Sequence, residues 1–430
     1  MEKLSFFKTK VGKGLLVGAF ALFMFIPLLI VQNLVNERQN RKNEVVTEVT
    51  NQWSRGQKIS SLIFQIPYEE NVKQEKTVNG SQVISIVKES RMLYVSPKTF
   101  ILKGQIIPEK RKKSIYEVVV YNSNLKITGS FDPLNLPNKE TRIYNLEKAK
   151  VLFEVNDIRG LQKEIIININ KAQLTLENSG QNGYLAQNID LREAGLSKLD
   201  YSFDLAVRGS TNLKFNPTAA NTTVELTSTW QDPGFFGAFL PSYDLDKNGF
   251  NAKWNVLELN RDFPRVFYNL EVINIADYQF GVNLVETANN YQKNERAVKY
   301  GLLIVSLTFL VFFFMEMLLS LKVNLIQYGL IGIALILFYT LLLSISEFLT
   351  FNIAYLISCI ATIGLIFSFS KSLFILKQPA LALAALLSIL YGFIFIIIQL
   401  EDTALLIGSI GLFLILATTM YISRKVNWDN

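Results

Sequence analysis

Histidine is absent from the sequence, and cysteine occurs once, as Cys359 inside an apolar run. Without imidazole there can be no Ser-His or Cys-His nucleophile, no histidine general base and no His-ligated zinc or haem. One thiol allows no intrachain disulfide, thiolate cluster or iron–sulfur site. Charge is also scarce. Only 18% of the 430 residues are charged, against about 25% in a typical soluble chain. Half are hydrophobic, the mean hydropathy is +0.25, and the apolar residues concentrate at the two ends. This pattern indicates a membrane protein with a soluble insert.

Six segments have the roughly 20 apolar residues that a helix needs to cross a bilayer. They run about Gly14–Val35, Tyr300–Leu321, Ile326–Ile345, Phe351–Phe369, Pro379–Ile398 and Thr403–Ile422. The first is too long for a signal peptide and is followed by Gln32-Asn33-Leu34-Val35 rather than a small-x-small cleavage site, so it reads as an uncleaved anchor. Lysine and arginine in the short flanks set the orientation. Lys3, Lys8, Lys10 and Lys13 precede the first span; Lys322, Lys371 and Lys377 fall in alternate loops, and Arg424 and Lys425 in the tail. The opposite short loops carry Glu347, Glu401 and Asp402. Both termini are therefore expected in the cytoplasm and residues 36–299 outside, with Arg38, Arg41 and Lys42 weakly opposed to that assignment. The insert holds 34 basic and 30 acidic residues, a mildly basic surface that calls for no nucleic acid.

The expected organisation is a tail and anchor over 1–35, an external segment over 36–299 and a five-helix bundle with its tail over 300–430. Residues 36–54 continue the first helix as a stalk, with Val45, Val46, Val49 and Trp53 at helical spacing. Over 55–299 the hydrophobic period changes from 3.6 to 2. Leu199, Tyr201, Phe203, Leu205 and Val207 alternate with polar partners, and Thr223–Trp230, Arg265–Val272 and Tyr278–Leu284 alternate likewise, each the mark of a strand with one buried face. Further β-rich runs are separated by turn residues at Asn79-Gly80, Pro108, Asn122-Ser123-Asn124 and Asn182-Gly183. Ten to thirteen strands in one large or two stacked sheets follow. The fold class is a multi-pass α-helical membrane protein, six helices arranged one plus five, with a large inserted β-rich and sandwich-like domain.

Three features of the insert are candidate sites. Lys110-Arg111-Lys112-Lys113 reads as a solvated hairpin tip or as a contact for anionic lipid or an envelope polymer. Phe235, Phe236, Phe239 and Leu240 lie on the Pro/Gly-rich segment Gln231–Pro241, which reads as neither a regular strand nor a long helix. It closes the core or meets a bilayer or partner. Asp244–Gly249 copies the first half of a calcium loop, but Ala252 and Asn255 stand at the ninth and twelfth positions, so a plain turn is the better reading.

Within the spans, Glu316 is the only acidic residue well inside a helix. A buried membrane carboxylate is a functional candidate by default; pairing with Lys322, Gln327 or Tyr328 is the structural alternative. Arg296, Lys299, Glu347, Asn352, Glu401, Asp402 and Thr403 cluster at the outer helix ends as an expected latch. Few polar groups lie near the midplane of the last five spans, which argues against a transport pathway.

Several stretches are similar to the CreD inner-membrane protein family. Arg296–Leu303 running on to Phe312–Glu316 resembles the opening of that family's C-terminal bundle. Gln327–Leu330 followed by Phe338–Glu347, and Asp402–Gly408, match its later spans and last external turn. Gly209, Leu213, Pro217, Thr227–Trp230, Pro233, Phe236, Gly237 and Phe239–Pro241 echo its external block, as do Val35–Arg38 and Gln65–Tyr68. Thr218-Ala219 and Ser60-Ser61 depart from it. The resemblance implies an inner-membrane protein of a bacterium with an outer membrane, tied to a two-component response and to envelope integrity under β-lactam stress. It carries over no catalytic residues.

The reading that follows is a non-enzymatic envelope protein without cofactors or metal. Its external domain engages an envelope protein, peptidoglycan or lipid; its oligomeric state is left open. The alternative is a transporter or channel through the bundle with a proton- or ion-linked Glu316. A hydrolase would have to use Asp/Glu or Ser/Lys, and the single Ser-x-x-Lys, Ser5 to Lys8, lies in the N-terminal tail.

Overall fold

The computed structural model describes residues 10–78, 81–137, 142–180, 183–194, 197–269, 274–284, 290–318, 323–373, 377–400 and 403–424. Asn79-Gly80, Asn182, Lys3, Lys8, Lys322, Glu401, Asp402 and Lys425 lie outside them. The chain divides into two compact units, one of residues 1–44 with 288–430 and one of residues 45–287.

Among the described residues six stretches are long and apolar enough to cross a membrane: Val11–Trp53, Asn290–Leu318, Leu325–Ser346, Phe351–Leu373, Gln378–Gln399 and Ala404–Tyr421. The first consists of α1 (Lys10–Phe23) and α2 (Phe25–Trp53). The break falls at Met24 because Pro27 has no N–H to offer the Phe23 carbonyl. The second consists of α3 (Asn290–Lys299) and α4 (Gly301–Leu318), followed by α5 (Leu325–Ser346), α6 (Phe351–Leu373), α7 (Lys377–Gln399) and α8 (Ala404–Ser423). Aromatic rings knit the helices together. Phe20 of α1 stacks on Phe309 of α4 at 6.1 Å, and Tyr328 of α5 receives Phe309 and Phe312 edge-on at 5.5 and 5.2 Å. Helices α2 and α4 approach so closely that a Cβ on Gly301 would lie 2.6 Å from Leu28 Cδ2.

The β unit has nineteen strands among the described residues, more than expected because many are pieces of two to five residues. In chain order they are β1 (Gln57–Ile59), β2 (Ile63–Val78), β3 (Ser81–Val95), β4 (Thr99–Lys113), β5 (Tyr116–Phe131), β6 (Arg142–Tyr144), β7 (Ala149–Glu154), β8 (Ile166–Ile169), β9 (Ala172–Thr175) and β10 (Glu177–Asn178). Then come β11 (Tyr184–Ile189), β12 (Leu199–Ser210), β13 (Asn212–Phe215), β14 (Asn221–Ser228), β15 (Gly234–Gly237), β16 (Ser242–Asp246), β17 (Gly249–Leu257), β18 (Val266–Phe267) and β19 (Phe280–Asn283). An eight-stranded sheet has the order β16-β17-β14-β4-β5-β12-β8-β9. A seven-stranded sheet has the order β10-β11-β7-β2-β3-β18, with β6 also on β2. A four-stranded sheet has the order β1-β13-β19-β15. Most pairs are antiparallel; β14 runs parallel to β4, and β1 parallel to β13.

The two large sheets face each other as a sandwich. Phe64 of β2 meets Phe131 of β5 at 4.0 Å, and Phe153 of β7 meets Phe203 of β12 at 5.1 Å. The alternation in β12 puts Leu199, Tyr201, Phe203, Leu205 and Val207 into this core, and Val224, Leu226 and Ser228 of β14 are buried likewise. The four-stranded sheet closes one region of it, with Phe215 and Phe280 against Trp254 of β17.

Three expectations give way to the structure. Pro108 lies inside β4, opposite Tyr121 of β5, and not at a turn. The β14 pairing with β4 ends at Ile106, so on that side no ladder bond needs the N–H that proline lacks. Asn122-Ser123-Asn124 lie inside β5, where the Ser123 hydroxyl donates to the Val207 carbonyl at 2.9 Å. Of the expected strand Arg265–Val272, the described part forms only the two-residue β18, pairing with Tyr94 and Val95.

Candidate functional site

The basic run Lys110–Lys113 ends β4 beside a tight turn in which Ser114 has φ 58°. It is a hairpin tip, and its charges are engaged. Lys110 and Lys112 pair with Glu117 across the hairpin at 3.5 and 3.2 Å, and Arg111 pairs with Glu109. Hydrogen bonding from Lys112 holds the Glu117 carboxyl below its ordinary range. Lys113 pairs with Glu48 of α2. Arg111 and Arg208 lie on the Trp53 ring, each 4.6 Å from its centroid, so the last turns of α2 are clasped by β4 and β12.

A second anchor for the same helix end has Asp157 at its centre. Arg159 grips the carboxylate with Nε and Nη2 at 2.9 and 2.7 Å, and the Arg55 and Arg159 amides donate to it at 3.0 and 3.2 Å. Arg159 Nη1 reaches on to the Asn51 carbonyl at 2.9 Å. These bonds, the Arg159 side chain first, pull the Asp157 pKa down to about 2. Gln57 Nε2 fills the remaining space, donating to Ser54 Oγ and to the Asp157 and Arg208 carbonyls.

The aromatic segment is partly a strand, contrary to expectation. Gly234–Gly237 is β15, an edge of the four-stranded sheet, paired with β19. Gly237 has φ +104°, and a Cβ there would lie 2.1 Å from the Gln279 carbonyl oxygen, so only glycine lets the chain turn that close. Phe235 packs inward against Trp254 and Phe250, and Phe239 against Phe280. Phe236 is half-buried with Lys214 over its ring. Leu240 is 75% exposed. The next strand, β16, is an edge of the eight-stranded sheet and exposed throughout, with Tyr243 and Leu245 upon it. Asp244 and Asp246 therefore sit at alternate positions of a strand, and Asp246 Oδ1 accepts from the Asn248 amide in the following turn. Among the described residues no group of three or more Asp, Glu or Cys gathers to hold a metal ion.

Glu316 is almost fully buried. It accepts from the Val323 amide at 3.0 Å and from Tyr328 Oη at 3.1 Å, and it pairs with Lys13 of α1. Lys13 also donates to the Val323 carbonyl at 2.8 Å. Of the expected partners Tyr328 is engaged, Gln327 instead accepts from the Asn324 amide to cap α5, and Lys322 lies outside the described residues. In the sequence Lys13 stands out only as a topology signal; its place as the lysine nearest the apolar run is the clue to its pairing.

At the other end of the bundle Lys299, Glu347 and Asn352 of the expected latch each find a partner. Glu347 accepts from Tyr291 Oη at 3.2 Å and lies 3.8 Å from Arg38 Nε. Asn290 and Asn294 of α3 donate to Ser346. Gln399 of α7 bridges Lys293 and Asn352 at 3.0 and 2.6 Å. Lys299 pairs with Glu295 of its own helix.

These features define a multi-pass membrane protein, one helix before and five after an inserted three-sheet β unit. The family model described as Inner membrane protein CreD matches residues 10–429, and the chain belongs to that family. It is similar to the Inner membrane protein CreD of Escherichia coli (strain K12), 29% identical over 424 residues, covering 96% of this chain and 92% of that protein.

Proposed function

We propose that the protein is a non-enzymatic component of the cell envelope whose β unit is an interaction module on the periplasmic side, with both termini cytoplasmic. The observation that carries this reading is the pair of successive edge strands, β15 and β16, with Leu240, Tyr243 and Leu245 each at least half exposed. Open strand edges bearing apolar side chains are the usual place for another chain to add a strand. The basic hairpin, by contrast, is occupied within the unit. A role in envelope integrity and β-lactam stress is what the family resemblance supports. Photo-crosslinking in cells from positions 236, 240 and 243, with 110–113 as a comparison, tests the reading. A discrete protein or glycan adduct at the edge supports it; adducts only to lipid or to the chain itself reject it.

Glu316 favours a second reading, conduction through the bundle. Its charge is already balanced by Lys13, so a structural pair accounts for it. A Glu316→Gln protein with unaltered ion flux in liposomes would count against proton coupling there.

A further inference from the structure

Hydroxyl groups in the helical unit mostly satisfy themselves on their own helix. Thr308, Thr340, Ser346, Ser388 and Thr418 each donate to a carbonyl three or four residues earlier. Among the described residues Ser370, near the far end of α6, does not, and neither does one group at the opposite end of the helices. Tyr339 Oη of α5, Ser358 Oγ of α6 and Tyr391 Oη of α7 are buried and have no protein partner. The three residues are 1%, 0% and 1% exposed. All lie about two helical turns in from the Glu347 end of their helices, since α5 and α7 end at Ser346 and Gln399 and α6 begins at Phe351.

Helix α6 is polar on its protein side and apolar on its lipid side. Its buried face carries Tyr355, Ser358, Cys359 and Thr362, while Leu356, Ile357, Ile360 and Leu365 face outward. Tyr355 is satisfied by the Tyr391 carbonyl at 2.8 Å, and Phe338 packs on the Tyr391 ring at 4.5 Å and the Tyr355 ring at 5.4 Å, holding the three helices together. A helix that turns hydroxyls away from lipid into a core where they find no protein acceptor is energetically unfavourable unless something else bonds to them.

We infer that the α5–α6–α7 core contains a binding site for water-sized, uncharged hydrogen-bonding molecules, formed by Tyr339, Ser358, Cys359 and Tyr391. No charged side chain takes part, so an ion entering would lose its hydration without compensation; a neutral molecule with several donors and acceptors fits. The Asn352–Gln399 pair, about two turns nearer the Glu347 end, supplies further hydrogen-bonding groups on the same helices. The site is independent of the edge-strand reading and of Glu316.

Radiolytic hydroxyl-radical footprinting of the full chain in lipid nanodiscs tests it, because radicals born from bound water oxidise the side chains they touch. Tyr339 and Tyr391 should be modified at least ten-fold faster than Phe309 and Phe312, equally buried rings in the apolar packing between α1, α4 and α5. Tyr339→Phe and Tyr391→Phe should each melt several degrees below the parent, because each removes a satisfied hydroxyl. Modification at the rate of Phe309, with the phenylalanine variants melting at or above the parent, would overturn the inference.

Discussion

Asp157→Asn probes how the end of α2 is held within the β unit. The carboxylate is 7% exposed and receives two bonds from the Arg159 side chain and one each from the Arg55 and Arg159 amides. Its pKa of about 2, against 3.8 for the free group, corresponds to about 2 kcal/mol favouring the charged folded state. Arg159 is 54% exposed, so solvent screening brings the expected cost of losing the charge to about 1–2 kcal/mol. Asparagine keeps one acceptor for the amides but turns an NH2 toward a guanidinium. Because the folded pKa is depressed, this contribution is complete above pH 3.8 and is lost as the pH falls toward 2. Hydrogen exchange at pH 6 should then show the amides of residues 51–57 exchanging roughly 5- to 30-fold faster in Asp157→Asn, with the amides of β17, which makes none of these contacts, unchanged. On acidification the parent should lose its extra protection between pH 4 and 2, and the variant should have none to lose. Equal protection of 51–57 at pH 6, or the same acid-linked loss in both proteins, would refute the reasoning.

Other substitutions test the remaining contacts. Trp53→Ala removes two cation–π contacts, each worth about 0.5–1 kcal/mol, and should expose the hairpin after Lys113 to proteolysis while Arg111→Lys has a smaller effect. Glu316→Ala strands Lys13 and leaves the Val323 amide unsatisfied; breaking such a buried pair costs about 3–5 kcal/mol, visible as a lower melting temperature in detergent that Lys13→Met with Glu316→Gln largely restores. Gly237→Ala forces a side chain toward the Gln279 carbonyl and should displace β15, measurable as faster exchange at Phe280–Asn283. Leu240→Asp should abolish edge crosslinks without lowering the melting temperature.

Wherever one period governed a long run, the chain's structure could be read from its sequence. The alternation of Leu199–Val207 marked a strand with one buried face, and the apolar runs of the six spans left little choice. Punctuation residues misled where tertiary pairing overrode them. Pro108 reads as a break, yet one side of β4 has no partner there; Asn122–Asn124 reads as a turn, yet Ser123 is tied to a neighbouring strand. The candidate sites were harder still. Lys13 and Glu316 lie some three hundred positions apart, and only folding brings an N-terminal lysine to that carboxylate. Tyr339 and Tyr391 gave no signal in the sequence, because a hydropathy window weighs the ring and not where its hydroxyl ends up.

The parallel pairing of β4 with β14 has a consequence for synthesis. The partners are Thr99–Ile106 and Asn221–Ser228, and everything between must leave the ribosome before the two can meet. At the usual 5–20 residues per second that wait is roughly 5–20 s. Until then the β4 flank of the β4–β5 hairpin, bearing Ile101, Leu102 and Ile106, stays unpaired, an open edge inviting wrong partners. The nascent chain thus exposes an adhesive segment early and covers it late, so it is most in need of a chaperone after β5 has emerged and before β14 arrives.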